Sequence, residues 1–169
     1  MASVPKPLTI EEFHRHYRGR KPHYEFWFGK AVQKSMPTWL HGVLQALLAE
    51  FFRRAGYKTG SEVELRVDPE WEPVPDLIAT RTAVEQPYPT SPVEIVIEIL
   101  SPEDRMTQVL QKCREYTRIG VEKIFIMDPE GRQAWEWKAG GLQLTTALNL
   151  TNGAVIDLTE VWRELANQA

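Results

Sequence analysis

Cysteine is almost missing from this chain of 169 residues; Cys113 stands alone. No disulfide can form within one chain, and a reducing compartment fits. A lone cysteine on a helical apolar stripe reads as a small buried residue. Long apolar runs are also missing, none approaching the roughly 18 residues of a membrane span. The opening, Met1–Leu8, is proline-rich and has no apolar signal-peptide core. A cytoplasmic protein with no membrane association is expected. Basic excess is absent: 20 Lys and Arg face 23 Asp and Glu, for a net charge of −3. Any contact with nucleic acid must use basic groups focused at one place or brought together by a dimer. There is no glycine-rich phosphate loop, no Cys/His zinc spacing and no Ser/His/Asp pattern. Of the 4 histidines, three precede residue 24, and they suggest no ligand cluster.

What is present is enough for one core. The hydrophobic fraction is 43% and the charged fraction 25%, ordinary globular values. No repeat or long linker divides the sequence, so a single domain over 1–169 is expected. Thr9 followed by Glu11 and Glu12 starts a short helix to about Tyr17. Tyr24–Phe28 and Lys30–Gln33, split by Gly29, read as a hairpin. Pro37 and Thr38 open an amphipathic helix, with Trp39, Leu40, Val43, Leu44, Leu47, Leu48, Phe51 and Phe52 at helical spacing, closed by Gly56. Strands are expected at Ser61–Val67 and Val74–Thr80, with a turn at Asp68–Pro73. Val93–Leu100 is apolar on nearly every position and reads as a central strand. Ser101 is the expected N-cap of the next helix, with Pro102 at its first position and a buried stripe of Met106, Val109, Leu110, Cys113 and Tyr116. Lys123–Asp128 and Gln133–Lys138 form a second hairpin. Strand and loop to Ile156 and a helix over Asp157–Ala166 complete an α/β arrangement: a mixed central β-sheet flanked by helices, preceded by an N-terminal helix and hairpin.

Two carboxylates stand inside apolar strands. Glu98 lies within Ile95-Val96-Ile97-Glu98-Ile99-Leu100, where an unpaired charge is costly, so it needs a cation, a metal or a proton. Asp76, in Val74-Pro75-Asp76-Leu77-Ile78, is either a strand-end cap or a second ligand facing Glu98 across neighbouring strands. Hard divalent cations favour such oxygens. Lys112 lies on the flank of its helix's apolar stripe; it either snorkels to solvent or reaches back over the strand to position a water or a phosphate. Glu50 projects to the apolar side of its helix, as a rim residue or a contact to a second metal or its water. Trp135 and Trp137 share a strand face, suited to packing or to base stacking.

Several of these segments together resemble one family. Val74-Pro75-Asp76-Leu77-Ile78, Val96-Ile97-Glu98-Ile99-Leu100-Ser101-Pro102, Gln111-Lys112-Cys113-Arg114-Glu115-Tyr116 and Gly120-Val121-Glu122-Lys123-Ile124-Phe125-Ile126-Met127-Asp128-Pro129-Glu130 are similar to the Uma-type restriction endonuclease family, abundant in cyanobacteria and part of the PD-(D/E)xK nuclease superfamily. Tyr24-Glu25-Phe26, Gly29-Lys30 and His41 extend the resemblance over about residues 8–160. It implies a restriction-endonuclease-like fold and catalytic roles for Asp76, Glu98 and Lys112, with Mg²⁺ or Mn²⁺ held by Asp76 and Glu98. Glu25 and His41 match family positions near the pocket, and Glu50 matches a helix glutamate of some superfamily members. The strict motif places a lysine two residues after the acidic one; here Leu100 stands there, and Lys112 on the following helix takes its part. Gln108 and Gln111 replace acidic residues frequent in the family. The expected function is metal-dependent hydrolysis of DNA phosphodiesters by a homodimer. The alternative is a non-catalytic nucleic-acid-binding or regulatory module on the same scaffold.

Overall fold

The structure is a computed structural model that describes residues 5–169; part of the opening segment Met1–Leu8 therefore lies outside the described residues. Helix α1, Ile10–His16, begins at Thr9 with a reciprocal capping box to Glu12. Strands β1, Tyr24–Trp27, and β2, Lys30–Gln33, pair antiparallel. Gly29 sits in their turn at φ +79, and a Cβ there would come within 2.6 Å of Pro7, so conformation and space both require glycine. Helix α2, Trp39–Arg54, is capped by Thr38, whose hydroxyl accepts the His41 N–H.

The main sheet has six strands: β3 (Lys58–Ser61), β5 (Leu77–Thr80), β6 (Ile95–Ile99), β7 (Lys123–Asp128), β8 (Gln133–Lys138) and β9 (Gly141–Thr145), adjacent in that order. Only β6 and β7 pair in parallel. Their connection is helix α3, Met106–Arg118. Strand β4, Trp71–Glu72, joins β1 in a small sheet of order β2–β1–β4. The short pair β10 (Ala147–Asn149) and β11 (Val155–Asp157) leads into helix α4, Leu158–Gln168, capped by Asp157. No helix among the described residues is long and apolar enough to cross a membrane.

Strand alternation builds two cores. Ile95, Ile97 and Ile99 of β6 point to one face and pack with Leu77, Phe125 and Met127 against α2 and α4. Val96, Ile78, Ile124 and Ile126 point to the other and pack against Val109, Cys113 and Tyr116 of α3, with Trp27 and Trp71 of the small sheet. Each fully buried Leu, Ile or Phe contributes about 1.5–3 kcal/mol relative to exposure. These two layers are what make burying charge on β6 affordable.

Four sequence expectations shift. The strand expected at Ser61–Val67 lies instead at Lys58–Ser61, because Glu62 adopts φ +55 and leaves the extended region; the Leu65 N–H donates to the Pro73 carbonyl rather than to the main sheet, though Leu65 is still fully buried. The turn expected at Asp68–Pro73 contains β4, since Trp71 pairs opposite Trp27 in the second core. The strand expected from Val74 begins at Leu77. Ser101 does not cap α3: Asp104 accepts the Ser101 N–H at 2.7 Å and the Ser35 hydroxyl at 2.6 Å, holding a turn that delays the helix to Met106. Met106 is consequently exposed rather than part of the buried stripe. Trp135 and Trp137 are partly buried against the second core.

Candidate active site

The β5–β6 register pairs Leu77 with Ile97, and continuing it by one residue sets Asp76 opposite Glu98. Side chains opposite one another on antiparallel strands are about 5 Å apart at Cβ. Both carboxylates point to the α3 side, the same parity as Ile78 and Val96. Both are buried, Asp76 at 4% and Glu98 at 8% exposure. They line a cleft of about 60 Å³ between α3, β1 and the ends of β2 and β6.

Lys112 reaches back from α3 as its flanking position suggested. It is buried, and its Nζ lies 2.7 Å from Glu98 Oε1 and 3.0 Å from Glu25 Oε1. Glu25, on β1, also accepts the Val74 N–H at 2.8 Å and the Trp27 indole N–H at 3.1 Å, so the small sheet is tied to the approach of β5. Tyr116, one helical turn beyond Lys112, donates its hydroxyl to Glu98 Oε1 at 2.5 Å. Asp76 Oδ2 accepts the Ile99 N–H at 2.7 Å, and the His41 Nε2 of α2 stands 3.4 Å from the same oxygen.

One cation was not foreseen from sequence. Lys34, just past β2, donates to Asp76 Oδ1 at 2.9 Å, to Glu62 Oε2 at 2.9 Å and to the Val74 carbonyl at 2.6 Å. Nothing in its local pattern marked it; a lysine after a hairpin strand ordinarily faces solvent, and only the docking of the hairpin on β5 buries it. Tyr116 was assigned to the buried stripe, and its hydrogen bond to Glu98 was likewise invisible. Glu50 is not brought here: it is exposed, pairs with Arg54 one turn on, and does not line the cleft. The apolar side to which it was projected is occupied by Leu47 and Leu48, and the helix end lets it turn to solvent. Gln108 lines the cleft, whereas Gln111 does not.

Four carboxylates, Glu25, Glu62, Asp76 and Glu98, thus share two amines. The imbalance appears in the proton affinities of Asp76 and Glu98. Burial pushes the Asp76 carboxyl up, but Lys34 and His41 outweigh it and hold Asp76 well below the usual carboxylate range. Burial lifts Glu98 to about 7; Lys112 opposes this and Asp76 reinforces it. Burial disfavours the Lys112 ammonium, yet Glu25 and Glu98 keep it above its ordinary value. Lys34 is raised in the same way, against burial, chiefly by Asp76. Both lysines are therefore charged across the physiological range and serve as cations, not bases.

The donor chemistry suits a hard divalent ion. Among the described residues no protein group donates to Glu98 Oε2, Asp76 Oδ1 keeps a lone pair beyond Lys34, and the residual negative charge is what a dication would neutralise. Among the described residues, His41 Nδ1 is a further buried atom without a partner.

The family model for Uma2, described as a putative restriction endonuclease, matches residues 10–167. The chain belongs to this family. The Uma2 chain is also similar to the crystal structure of a putative nuclease belonging to DUF820 from Anabaena variabilis ATCC 29413, with a TM-score of 0.78 and 18% identity over 94% of this chain and 99% of that one. At that identity the likeness shows the fold, which is restriction-endonuclease-like. A weaker likeness, with a TM-score of 0.42 and 16% identity, covers 73% of this chain and 10% of a chain in the cryoEM structure of the DrdV–DNA complex. No curated protein is significantly similar in sequence. Restriction-endonuclease-like proteins generally use divalent metals.

Proposed function

We propose that this Uma2 chain is a metal-dependent DNA endonuclease, acting as a single domain whose site is Asp76, Glu98 and Lys112. The observation that carries the reading is the facing pair Asp76 and Glu98 at the head of a cleft, flanked by two ammonium groups. Asp76 and Glu98 would hold Mg²⁺ or Mn²⁺, which when bound polarises the scissile phosphate and offsets the charge that develops on it. Ile99 fixes the Asp76 carboxylate through its N–H, and Tyr116 fixes Glu98 through its hydroxyl, so neither ligand has to be ordered at the moment of binding. Lys112 stays protonated between Glu25 and Glu98, so its role is to orient a water and to stabilise phosphate charge rather than to accept a proton. Glu25 positions Lys112, and His41 and Lys34 keep Asp76 ionised. The reading includes a homodimer, because one cleft attends to one strand of a duplex.

The test is nicking of supercoiled plasmid with Mg²⁺ or Mn²⁺, beside thermal unfolding with and without the ion. The parent chain is expected to nick DNA and to be stabilised by the ion, and Asp76→Ala and Glu98→Ala to lose both effects. Cleavage that persists in both variants would refute the assignment. A second reading, a DNA-binding or regulatory module without catalysis, draws on the fact that Lys34 and Lys112 already pair with the two carboxylates. Salt-dependent DNA binding without nicking in either metal would select it.

A further inference from the structure

The cleft has room for little beyond chemistry. At about 60 Å³ it holds an ion and a few waters, not the rest of a nucleotide. A larger cavity of about 240 Å³ adjoins it. Lys34, Ser35, His41 and Asp76 line both, so the two spaces meet at Asp76. Glu25 and Lys112 line only the cleft, which sets the cavity on the side of Asp76 away from α3. Its walls follow from the hairpin. The Lys34 N–H donates to the His23 carbonyl at 2.9 Å, one step beyond the Tyr24–Gln33 pair. That extension brings Lys21-Pro22-His23 beside Ser35-Met36-Pro37, and α2 closes a third side with His41 and Gln45.

The cavity's chemistry comes in three parts. Pro22, Met36 and Pro37 give it apolar surface, and Met36 is 62% exposed; a thioether packs well on an aromatic ring. Two polar atoms are uncommitted. His41 is buried and turns Nε2 to Asp76, while its Nδ1 has no partner among the described residues. Gln45 donates its amide to the Asp76 carbonyl at 2.5 Å and to Glu62 Oε1 at 3.3 Å, and no described residue donates to its Oε1. The third part is charge. Both acids of the cavity, Glu62 and Asp76, are taken by Lys34. Lys21 and His23 form no ion pair among the described residues, and neither does Arg105, which lines only the cleft. In a chain of net charge −3, these are free basic groups beside both parts of one continuous groove, as a phosphodiester strand requires.

We propose that this cavity receives an unpaired nucleotide next to the phosphate held at Asp76 and Glu98, so that the substrate class is DNA unpaired at that position. The inference rests on the cleft being a DNA site, not on its being catalytic. The base packs on Met36 with its edge toward His41 Nδ1 and Gln45 Oε1, and its backbone phosphate meets Lys21 and His23. A base within a duplex has its faces stacked and its edge paired. It enters a space walled on three sides only after leaving the stack.

The test is fluorescence anisotropy with one labelled oligodeoxynucleotide, used single-stranded and annealed to its complement. The full chain is titrated in EDTA, where no metal-dependent cleavage intervenes. The single strand is expected to bind about tenfold or more tighter than the duplex, the scale of one base contact. Met36→Asp is expected to remove that advantage and bring the two affinities together. Lys21→Glu is expected to weaken single-strand binding and flatten its salt dependence. Both side chains are exposed, and thermal unfolding verifies that each variant is folded. A duplex bound as tightly as the single strand, no binding of the single strand, or an affinity that survives both substitutions would overturn the proposal. Nicking is scored separately: single-strand binding that depends on Met36 and Lys21, in a chain that cuts nothing with Mg²⁺ or Mn²⁺, upholds the cavity and refutes only the endonuclease reading.

Discussion

Replacing Glu98 with glutamine should stabilise the metal-free protein at high pH and leave it nearly unchanged at low pH. An ordinary value of 4.5 raised to about 7 means that the folded state holds a proton the unfolded chain has released. Stability is then lost as pH rises from the ordinary value through the folded one, and levels off above it. The gap corresponds to about 3 kcal/mol. Part of that gain is returned in the variant, because Lys112 keeps only Glu25 as its charged partner. The expected net gain at pH 8 is about 1–3 kcal/mol, or roughly 2–10 °C in Tm for a chain of this size. The Tyr116 hydroxyl can still donate to the amide oxygen of glutamine, so packing is retained. The assay is thermal unfolding of both proteins in EDTA from pH 5 to pH 9. Their midpoints should separate progressively between pH 5 and pH 7 and stay apart above it. A separation that does not vary with pH, or a variant less stable than the parent at pH 8, would refute the reasoning. Adding Mg²⁺ at pH 8 should raise the parent's midpoint and leave that of Glu98→Gln in place, because the ion substitutes for the missing proton only where a carboxylate is present.

The remaining expectations concern the neighbours of Glu98. Lys112→Met removes the amine between two buried carboxylates and should cost about 3–5 kcal/mol at pH 8, with a smaller loss at pH 5 where Glu98 is protonated; denaturant unfolding at the two pH values checks both. Asp76→Asn should weaken Mg²⁺-induced stabilisation and lower nicking by two orders of magnitude or more, measured at saturating metal. Glu50→Ala should leave nicking unchanged and shift stability by less than about 0.5 kcal/mol, because its exposed pair with Arg54 is a surface i,i+4 contact. A loss of activity in that variant would return Glu50 to the site.

Local pattern and tertiary placement contributed differently. Strand β6 was legible because alternating Ile95, Ile97 and Ile99 against Val96 and Glu98 leaves one chemically odd residue in an apolar run, and burial makes that residue expensive unless it is partnered. Helix α2 was legible from its period, and the β7–β8 hairpin from its turn residues. The limits of Ser61–Val67 and Ser101–Met106 were not, because a positive φ at Glu62 and the side-chain bonds of Asp104 override the local alternation and the expected cap. Asp76, Glu98 and Lys112 stand out in the sequence as candidates, and the resemblance ties them to one another.

What the sequence determined by itself was the family, the α/β fold and which carboxylates stand in or next to apolar strands, since those follow from short-range periodicity and contiguous motifs. Tertiary structure alone decided that Lys34 meets Asp76, that Tyr116 meets Glu98, that Glu50 faces solvent and that His14 meets Glu64 and Glu72. Lys34 and Asp76 are 42 residues apart, Tyr116 and Glu98 18, and His14 and Glu72 58, and Glu50 is sent outward by how α2 docks. No local pattern encodes such facts: they are set by which faces of helices and sheets must be buried against one another.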